Sequence, residues 1–154
     1  MKVAVVGSGV MGLGITQAFA QSEGYEVNLC VVSGKGFDHK RAIENLQAKE
    51  TLLKEIEEIA KPDALIASNT SSLSITEISS ELTRPIIGMH FFNPAAVMKL
   101  VEVIPGMTTT REMVEKVKKI SEDIGKVPVE VIEGPGFVVN RLLIPLINDA
   151  NQIF

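Results

Sequence analysis

The feature that most limits what this chain can fold into lies near its start. Gly7-Ser8-Gly9-Val10-Met11-Gly12 has the spacing G-x-G-x-x-G. It follows directly on a short apolar run, Lys2 to Val6, and opens a segment, Val10 to Ser22, whose Ala, Gln and aliphatic content reads as a helix. A second strand-like run, Glu26 to Val32, comes next. Strand, glycine turn, helix and strand in about thirty residues make a βαβ unit, with its two strands parallel and a helix crossing between them. Gly7 permits the tight turn, Gly9 lets a pyrophosphate approach the backbone, and Gly12 lets helix and strand pack closely. The helix start offers free N–H groups and the positive end of its dipole to phosphate. A glycine turn can also serve packing alone, but the strand–turn–helix setting is the one a dinucleotide site requires. Gly7, Gly9, Val10, Met11 and Gly12 are the candidate cofactor contacts.

The rest of the chain continues the alternation. Ile43 to Ala60 carries Ile43, Leu46, Leu53, Ile56 and Ile59 at helical spacing, and Lys61-Pro62 ends it. Ala64 to Ser68 reads as a strand. Ser74 and Glu77 form a capping box before a short helix with Ile75, Ile78 and Leu82 inward. Ile86 to Phe91 and Leu100 to Ile104 read as two more strands. Thr109 and Glu112 form a second capping box before the stripe Met113, Val117, Ile120 and Ile124, and Gly125 suits the position just past that helix. Val129 to Ile132 reads as the last strand, Glu133 to Gly136 as a turn, and Phe137 as the start of an apolar helical tail containing Pro145. The stretch Ser33 to Arg41 has no apolar period and reads as a loop. The expected fold is α/β: a Rossmann-type, doubly wound, mostly parallel sheet with helices on both faces.

Composition narrows the partners. Fifteen Lys and Arg against 19 Asp and Glu leave a net charge of −4, without the basic stripe of a nucleic-acid binder. No apolar run reaches the ~18–20 residues a membrane span needs. The single cysteine, Cys30, excludes an internal disulfide and a Cys-rich zinc site, and it reads as a small buried strand residue. Met1 leads straight into an apolar strand without a basic leader, so a cytoplasmic protein is expected.

One element of the dinucleotide motif is absent. An acid ending the second strand normally holds the adenosine ribose hydroxyls. Here that strand ends Leu29-Cys30-Val31-Val32-Ser33, and the next carboxylate is Asp38. The readings, in order of preference, are loss of the ribose contact, a contact from Asp38, or a 2′-phosphate tolerated by Ser33 and Lys35. NAD is the expected cofactor, with NADP not excluded.

His90 lies at the end of an apolar strand, in Gly88-Met89-His90-Phe91-Phe92-Asn93-Pro94, and Glu102 interrupts Lys99-Leu100-Val101-Glu102-Val103-Ile104. Alternation puts Glu102 on the face of Leu100 and Ile104. A carboxylate on a buried face needs a hydrogen-bonding or charged partner. A His–carboxylate pair is a frequent acid/base arrangement, because the acid fixes the tautomer and stabilises the imidazolium. The alternatives are a satisfied structural pair or a glutamate on an exposed strand face. Ser68-Asn69-Thr70-Ser71-Ser72 follows a strand at the carboxyl edge, where open α/β sheets bind ligands, though it also serves as a polar loop feeding the Ser74 cap. Asn140 either reaches a site or faces solvent.

Taken together, VGSGVMGLGI, ASNTSSLSITEI, IIGMHFFNPAAVMKLVEVI and EGPGFVVNRLLIP resemble the 3-hydroxyacyl-CoA dehydrogenase family, especially its bacterial 3-hydroxybutyryl-CoA members. The resemblance covers residues 1 to about 30 and about 42 to 154. It implies reversible, NAD-dependent oxidation of a short-chain (S)-3-hydroxyacyl-CoA to the 3-ketoacyl-CoA. By that resemblance His90 is the general base and Glu102 orients it. Ser71 and Asn140 bind the substrate oxygen or hold the catalytic groups, and Asn93 lies beside the site. Glu44 and Lys49 match cofactor-contacting positions, and Asn69 lies close to the cofactor. The implied partner is an acyl-CoA, and the implied assembly of the full-length family is a homodimer.

The sequence departs from that family in three places. Val31 stands where an acid is expected. Between the second strand and the helix containing Glu44, only residues 32–41 fill the space of a helical arm and further strands that carry much of the acyl-CoA contact. Residues 1–136 correspond to the dinucleotide-binding domain, and 137–154 to the start of a helical C-terminal domain. An internal strand cannot be lost without leaving backbone groups unpaired. The expectation is therefore a piece of a longer or spliced product, or chains that pair or swap to repair the sheet. Against the enzyme stands a second reading, a non-catalytic dinucleotide-binding remnant; a third, another dehydrogenase with this N-terminal fold, is disfavoured by HFFNPAAVMKLVEV.

Overall fold

A computed structural model of the chain describes residues 1–30 and 46–151. Along them run β1 (Lys2–Val6), α1 (Val10–Ala20), β2 (Glu26–Cys30), α2 (Leu46–Ile59), β3 (Ala67–Ser68), α3 (Ile75–Ile78), β4 (Ile87–Phe91), β5 (Leu100–Pro105), α4 (Arg111–Asp123), β6 (Val127–Glu130) and α5 (Val139–Asn151). The α/β class is as expected. Parallel pairing joins β1 to β2, β3 to β4 and β5 to β6. Between β4 and β5 stands only the loop 92–99, with no crossover helix, so this pair runs antiparallel. The strands form two hydrogen-bonded sheets among the described residues, β1-β2 and β3-β4-β5-β6.

The four-stranded sheet separates two apolar layers. Ile87, Met89 and Phe91 of β4 and Val101 and Val103 of β5 pack with Ile15 and Phe19 of α1 and with Val114, Val117 and Ile120 of α4. Val3, Val5 and Val27 of the β1–β2 ribbon join this layer. On the other face Ile104 packs with Leu53 of α2, Ile75 and Ile78 of α3, and Val131 and Phe137. With both faces covered, β4 has no exposed residue, and alternation in β5 does not mean exposure.

Several boundaries differ from the sequence reading. The third strand shrinks to Ala67–Ser68, and ahead of it Ala64 N–H closes a turn on Lys61 O. Helix α2 buries Leu53 but ends with Ile59 84% exposed, so the inward stripe stops short of Ile59. The second capping position is Thr110, whose hydroxyl accepts from Met113 N–H; Thr109 instead donates to Ile86 O and accepts from Gly106 N–H. The Ser74 cap is as expected, accepting from Glu77 N–H. The last strand begins two residues early, at Val127. Helix α4 closes with Gly125 (φ +73) donating to Glu122 O and Lys126 N–H donating to Ser121 O, a Schellman closure that frees Val127 to pair at once. Cys30 is exposed at the end of β2 rather than buried.

Candidate active site

The β4–β5 register sets His90 directly opposite Glu102. Residues opposite each other on antiparallel strands share a face, so a separation of 12 in sequence becomes a side-chain contact. His90 Nδ1 and Glu102 Oε2 stand 2.8 Å apart, with the two residues 6% and 1% exposed. Gly88 keeps that face clear. A Cβ there would lie 2.8 Å from Ile104 Cβ and 3.1 Å from Ile75 Cδ1.

The second carboxylate oxygen is also engaged. Glu102 Oε1 accepts the N–H groups of Val138, at 3.2 Å, and Val139, at 3.0 Å, where α5 begins. A helix start presents unsatisfied N–H groups and the positive dipole end, a favourable place for a carboxylate. The sequence reading started the helix at Phe137. Instead Gly136 (φ +72) and Phe137 (φ +50) are both left-handed, and this turn aims the next two amides at Glu102. Phenylalanine is rare in that region, and its burial at 3% exposure, in the apolar layer below the sheet, holds it there. Its ring centroid lies 5.7 Å from that of His90, and the Phe92 ring lies 4.6 Å from it.

With Glu102 accepting, Nδ1 of His90 carries the proton and donates. Nε2 then presents its lone pair and has no hydrogen-bond partner among the described residues. A buried imidazole with a fixed tautomer and a free Nε2 can take a proton from a hydroxyl and return it.

Three further carboxylate and amine groups, none flagged by sequence, tie neighbouring elements together. Glu133 accepts from Ser74 Oγ (2.9 Å), Thr76 N–H (2.7 Å) and Thr76 Oγ1 (2.5 Å), tying the α5 turn to α3. Burial alone would raise its pKa, but these hydrogen bonds outweigh it and hold the carboxyl below the ordinary value. Glu57 of α2 ties down the turn after α3, accepting from Thr83 N–H and Oγ1 and from Arg84 N–H. Lys126, 7% exposed, donates its ammonium to Ala95 O, Met98 O and Ala96 O at 2.7, 3.0 and 3.3 Å. Burial pushes its pKa below the ordinary lysine value.

The glycine turn sits as its spacing predicts. Gly7 (φ +112) donates to Cys30 O at the end of the β1–β2 ladder, and Gly9 caps α1 without any side-chain hydrogen bond. Cβ atoms added at Gly7 or Gly9 would meet nothing within 4 Å, whereas one at Gly12 would fall 1.9 Å from Gly7 O. Open space over two glycines, uncapped N–H groups at α1 and a close helix-to-turn approach at the third glycine fit a dinucleotide pyrophosphate. Val10 and Met11 form the first turn of α1, with Val10 74% exposed.

The remaining candidates are dispersed. Asn69 Oδ1 accepts from Phe91 N–H at 2.7 Å, pinning the residue after His90. Ser71 meets Asn140 through its carbonyl rather than its hydroxyl, accepting from Asn140 Nδ2 at 3.3 Å. Asn93 is exposed. Lys49 is partly buried on α2, and burial pushes its pKa below the ordinary lysine value. Glu44, Val31, Ser33, Lys35 and Asp38 lie outside the described residues. Among the described residues no cluster of His, Cys, Asp and Glu is arranged to hold a metal, and no helix is long and apolar enough to cross a membrane.

The family profile described as "3-hydroxyacyl-CoA dehydrogenase, NAD binding domain" matches residues 2–42 and 37–134. The chain belongs to the 3-hydroxyacyl-CoA dehydrogenase family. Among its relatives, the 3-hydroxybutyryl-CoA dehydrogenase of Clostridioides difficile is 41% identical over 202 positions, covering 100% of this chain and 72% of the relative. Those 202 positions against 154 residues leave at least 48 without a counterpart here. The probable 3-hydroxybutyryl-CoA dehydrogenase of Bacillus subtilis is 51% identical over 109 residues, or 70% of this chain and 38% of the relative. The crystal structure of (S)-3-hydroxybutyryl-CoA dehydrogenase from Ralstonia eutropha superposes with a TM-score of 0.84 at 34% identity, over 97% of this chain and 69% of that one. The dehydrogenase-family NAD-binding domain is thus the part of the fold that carries the glycine turn, β4 and β5.

Proposed function

We propose that this chain supplies the NAD-binding and acid–base half of a 3-hydroxyacyl-CoA dehydrogenase, oxidising a short-chain (S)-3-hydroxyacyl-CoA reversibly to the 3-ketoacyl-CoA. The observation that carries the reading is the buried His90–Glu102 pair, with Nε2 unpartnered among the described residues. The cofactor, when bound at Gly7, Gly9 and the start of α1, supplies the hydride acceptor. The chain's residues do the rest. His90 Nε2 accepts the hydroxyl proton, and the negative charge of Glu102 stabilises the imidazolium that results. The amides of Val138 and Val139 keep Glu102 in place while the charge on His90 changes. In the reverse direction the imidazolium returns the proton to the oxygen. By the family resemblance Ser71 and Asn140 bind the substrate oxygen or hold the catalytic groups, and the Asn140 Nδ2 to Ser71 O contact is consistent with the two acting together.

In this reading residues 1–136 are the dinucleotide-binding domain and 137–154 the start of the helical domain that walls the acyl-CoA. The family's homodimer belongs to that longer architecture.

The deciding experiment is reduction of a 3-ketoacyl-CoA followed at the nicotinamide absorbance. His90→Gln should lower turnover by about 10²–10⁴-fold, the usual contribution of a positioned acid–base group. NADH affinity by calorimetry should stay nearly native, because the glycine turn lies on another pair of strands. Near-native turnover of the variant overturns the assignment. The alignment gap of at least 48 positions favours one rival, a dinucleotide-binding remnant. That rival gains if the native 154-residue chain binds NADH but turns over no substrate.

A further inference from the structure

We propose that Lys126 is a positioning residue for the reaction above, its caged ammonium fixing the loop 92–99 so that α1 and the β4–β5 pair keep one alignment. The inference rests on the dehydrogenase reading of the site and concerns a residue that reading does not use.

The two halves of the site lie on different sheets. The glycine turn follows β1, and His90 and Glu102 lie on β4 and β5; the two sheets share no strand pairing among the described residues. Side-chain packing and the loop 92–99 hold them together. Ala95, 2% exposed, belongs to the apolar layer of Ile15 and Phe19, and it lies against Gly14 of α1, where an added Cβ would stand 3.2 Å from Ala95 Cβ. At the loop's start the Phe92 ring touches His90. At its end Lys99 O accepts from Val127 N–H, next to Lys126.

Between these anchors the loop has little fixing of its own: Val97 and Met98 both donate to Pro94 O. The carbonyls of Ala95, Ala96 and Met98 turn instead toward Lys126. An ammonium has three donors, and here each meets one carbonyl. No carboxylate pairs with Lys126 among the described residues, so these carbonyls carry the compensation for burying the charge. The Schellman closure of α4 fixes the lysine backbone from the other side. The cage therefore ties α4 to a loop that touches α1 and His90. Misplacing reacting groups by about 1 Å can cost 10²-fold in rate, so an alignment device is worth that much.

The test compares the native 154-residue chain with Lys126→Met, which keeps the apolar stem and removes the donors. Hydrogen exchange should rise at Val97 and Met98 while α4 and β6 stay protected. NADH should bind with nearly native affinity, but with the nicotinamide fluorescence polarisation reduced. The kcat for 3-ketoacyl-CoA reduction should fall about 10–10²-fold with the acyl-CoA KM little changed. Aminoethylation of Lys126→Cys, made in a Cys30→Ser background, restores an ammonium of nearly the same reach and should restore all three readouts. If Lys126→Met does not fold, the Cys variant before and after aminoethylation makes the same comparison. Native exchange at Val97 and Met98 overturns the proposal, as does raised exchange with native nicotinamide polarisation. If the native chain shows no turnover, the remnant reading gains over the dehydrogenase reading, and exchange with polarisation still decides whether Lys126 aligns the cofactor half with the loop.

Discussion

The strands β1, β2 and β4 are each five residues long, but they live in different surroundings. Every residue of β4 is buried, and β5 exposes none. In the β1–β2 ribbon every second residue is exposed: Lys2, Ala4 and Val6 on one strand, Glu26, Asn28 and Cys30 on the other. The contrast follows what each region has to present. A phosphate cradle is made of backbone N–H groups and the absence of side chains, and it needs only a turn and a helix start. A buried His–carboxylate pair is made of side chains whose geometry and charge depend on being enclosed, and it needs layers on both faces.

The largest expected effect tests the enclosed region. Glu102→Ala leaves Nδ1 of His90 and the amides of Val138 and Val139 without an acceptor in a buried site. Breaking such a pair costs about 3–5 kcal/mol, read as a lowered urea midpoint. A loss below about 1 kcal/mol, no more than an ordinary single hydrogen bond contributes, means the pair does not hold this region together.

A smaller effect separates stability from binding within the open region. Gly12→Ala puts a methyl group 1.9 Å from Gly7 O, so α1 must shift; about 1–3 kcal/mol should be lost together with NADH affinity. Gly9→Ala meets nothing within 4 Å at φ −70, so stability should stay within about 0.5 kcal/mol. Its NADH affinity should nevertheless fall about tenfold or more, a loss of at least 1.4 kcal/mol. Unchanged affinity of Gly9→Ala by calorimetry shows that the phosphates lie elsewhere.

The smallest effect concerns the link between α3 and the α5 turn. The Glu133 carboxyl is held below its ordinary pKa of 4.5, so its contribution is present above that value and is lost as pH falls through the folded-state value. Glu133→Gln should cost about 1–2 kcal/mol near neutral pH, and the gap to the native chain should close in acid. Urea midpoints measured from pH 7 to pH 3 check this; a gap independent of pH removes the charge from the argument.

Local patterns were legible in the sequence. The glycine spacing gave the turn, apolar period gave most helices, and Gly125 gave the end of α4, because each depends on residues a few positions apart. The residue types His90 and Glu102 stood out as polar groups in apolar runs, but their contact depends on the antiparallel register of β4 and β5, which no short-range pattern encodes. The partners of Glu102 Oε1 are backbone amides and have no side-chain signature at all. Lys126 reads in sequence as one more cation near a helix end; only the inward turn of three loop carbonyls distinguishes it. The Asn69 carboxamide looked like a cofactor contact, and half of it is spent on Phe91 N–H.

The left-handed pair Gly136 and Phe137 has a consequence for motion. Because it aims the first amides of α5 at Glu102, the carboxylate that holds His90 also grips the root of the last helix. Any swing of α5 about that root trades two donors on Glu102 for solvent or for nothing, and His90 is the next group along. Helix position and imidazole orientation are thus geared together through one side chain: whatever seats α5 firmly also holds Glu102 against His90, and whatever lifts α5 loosens that hold.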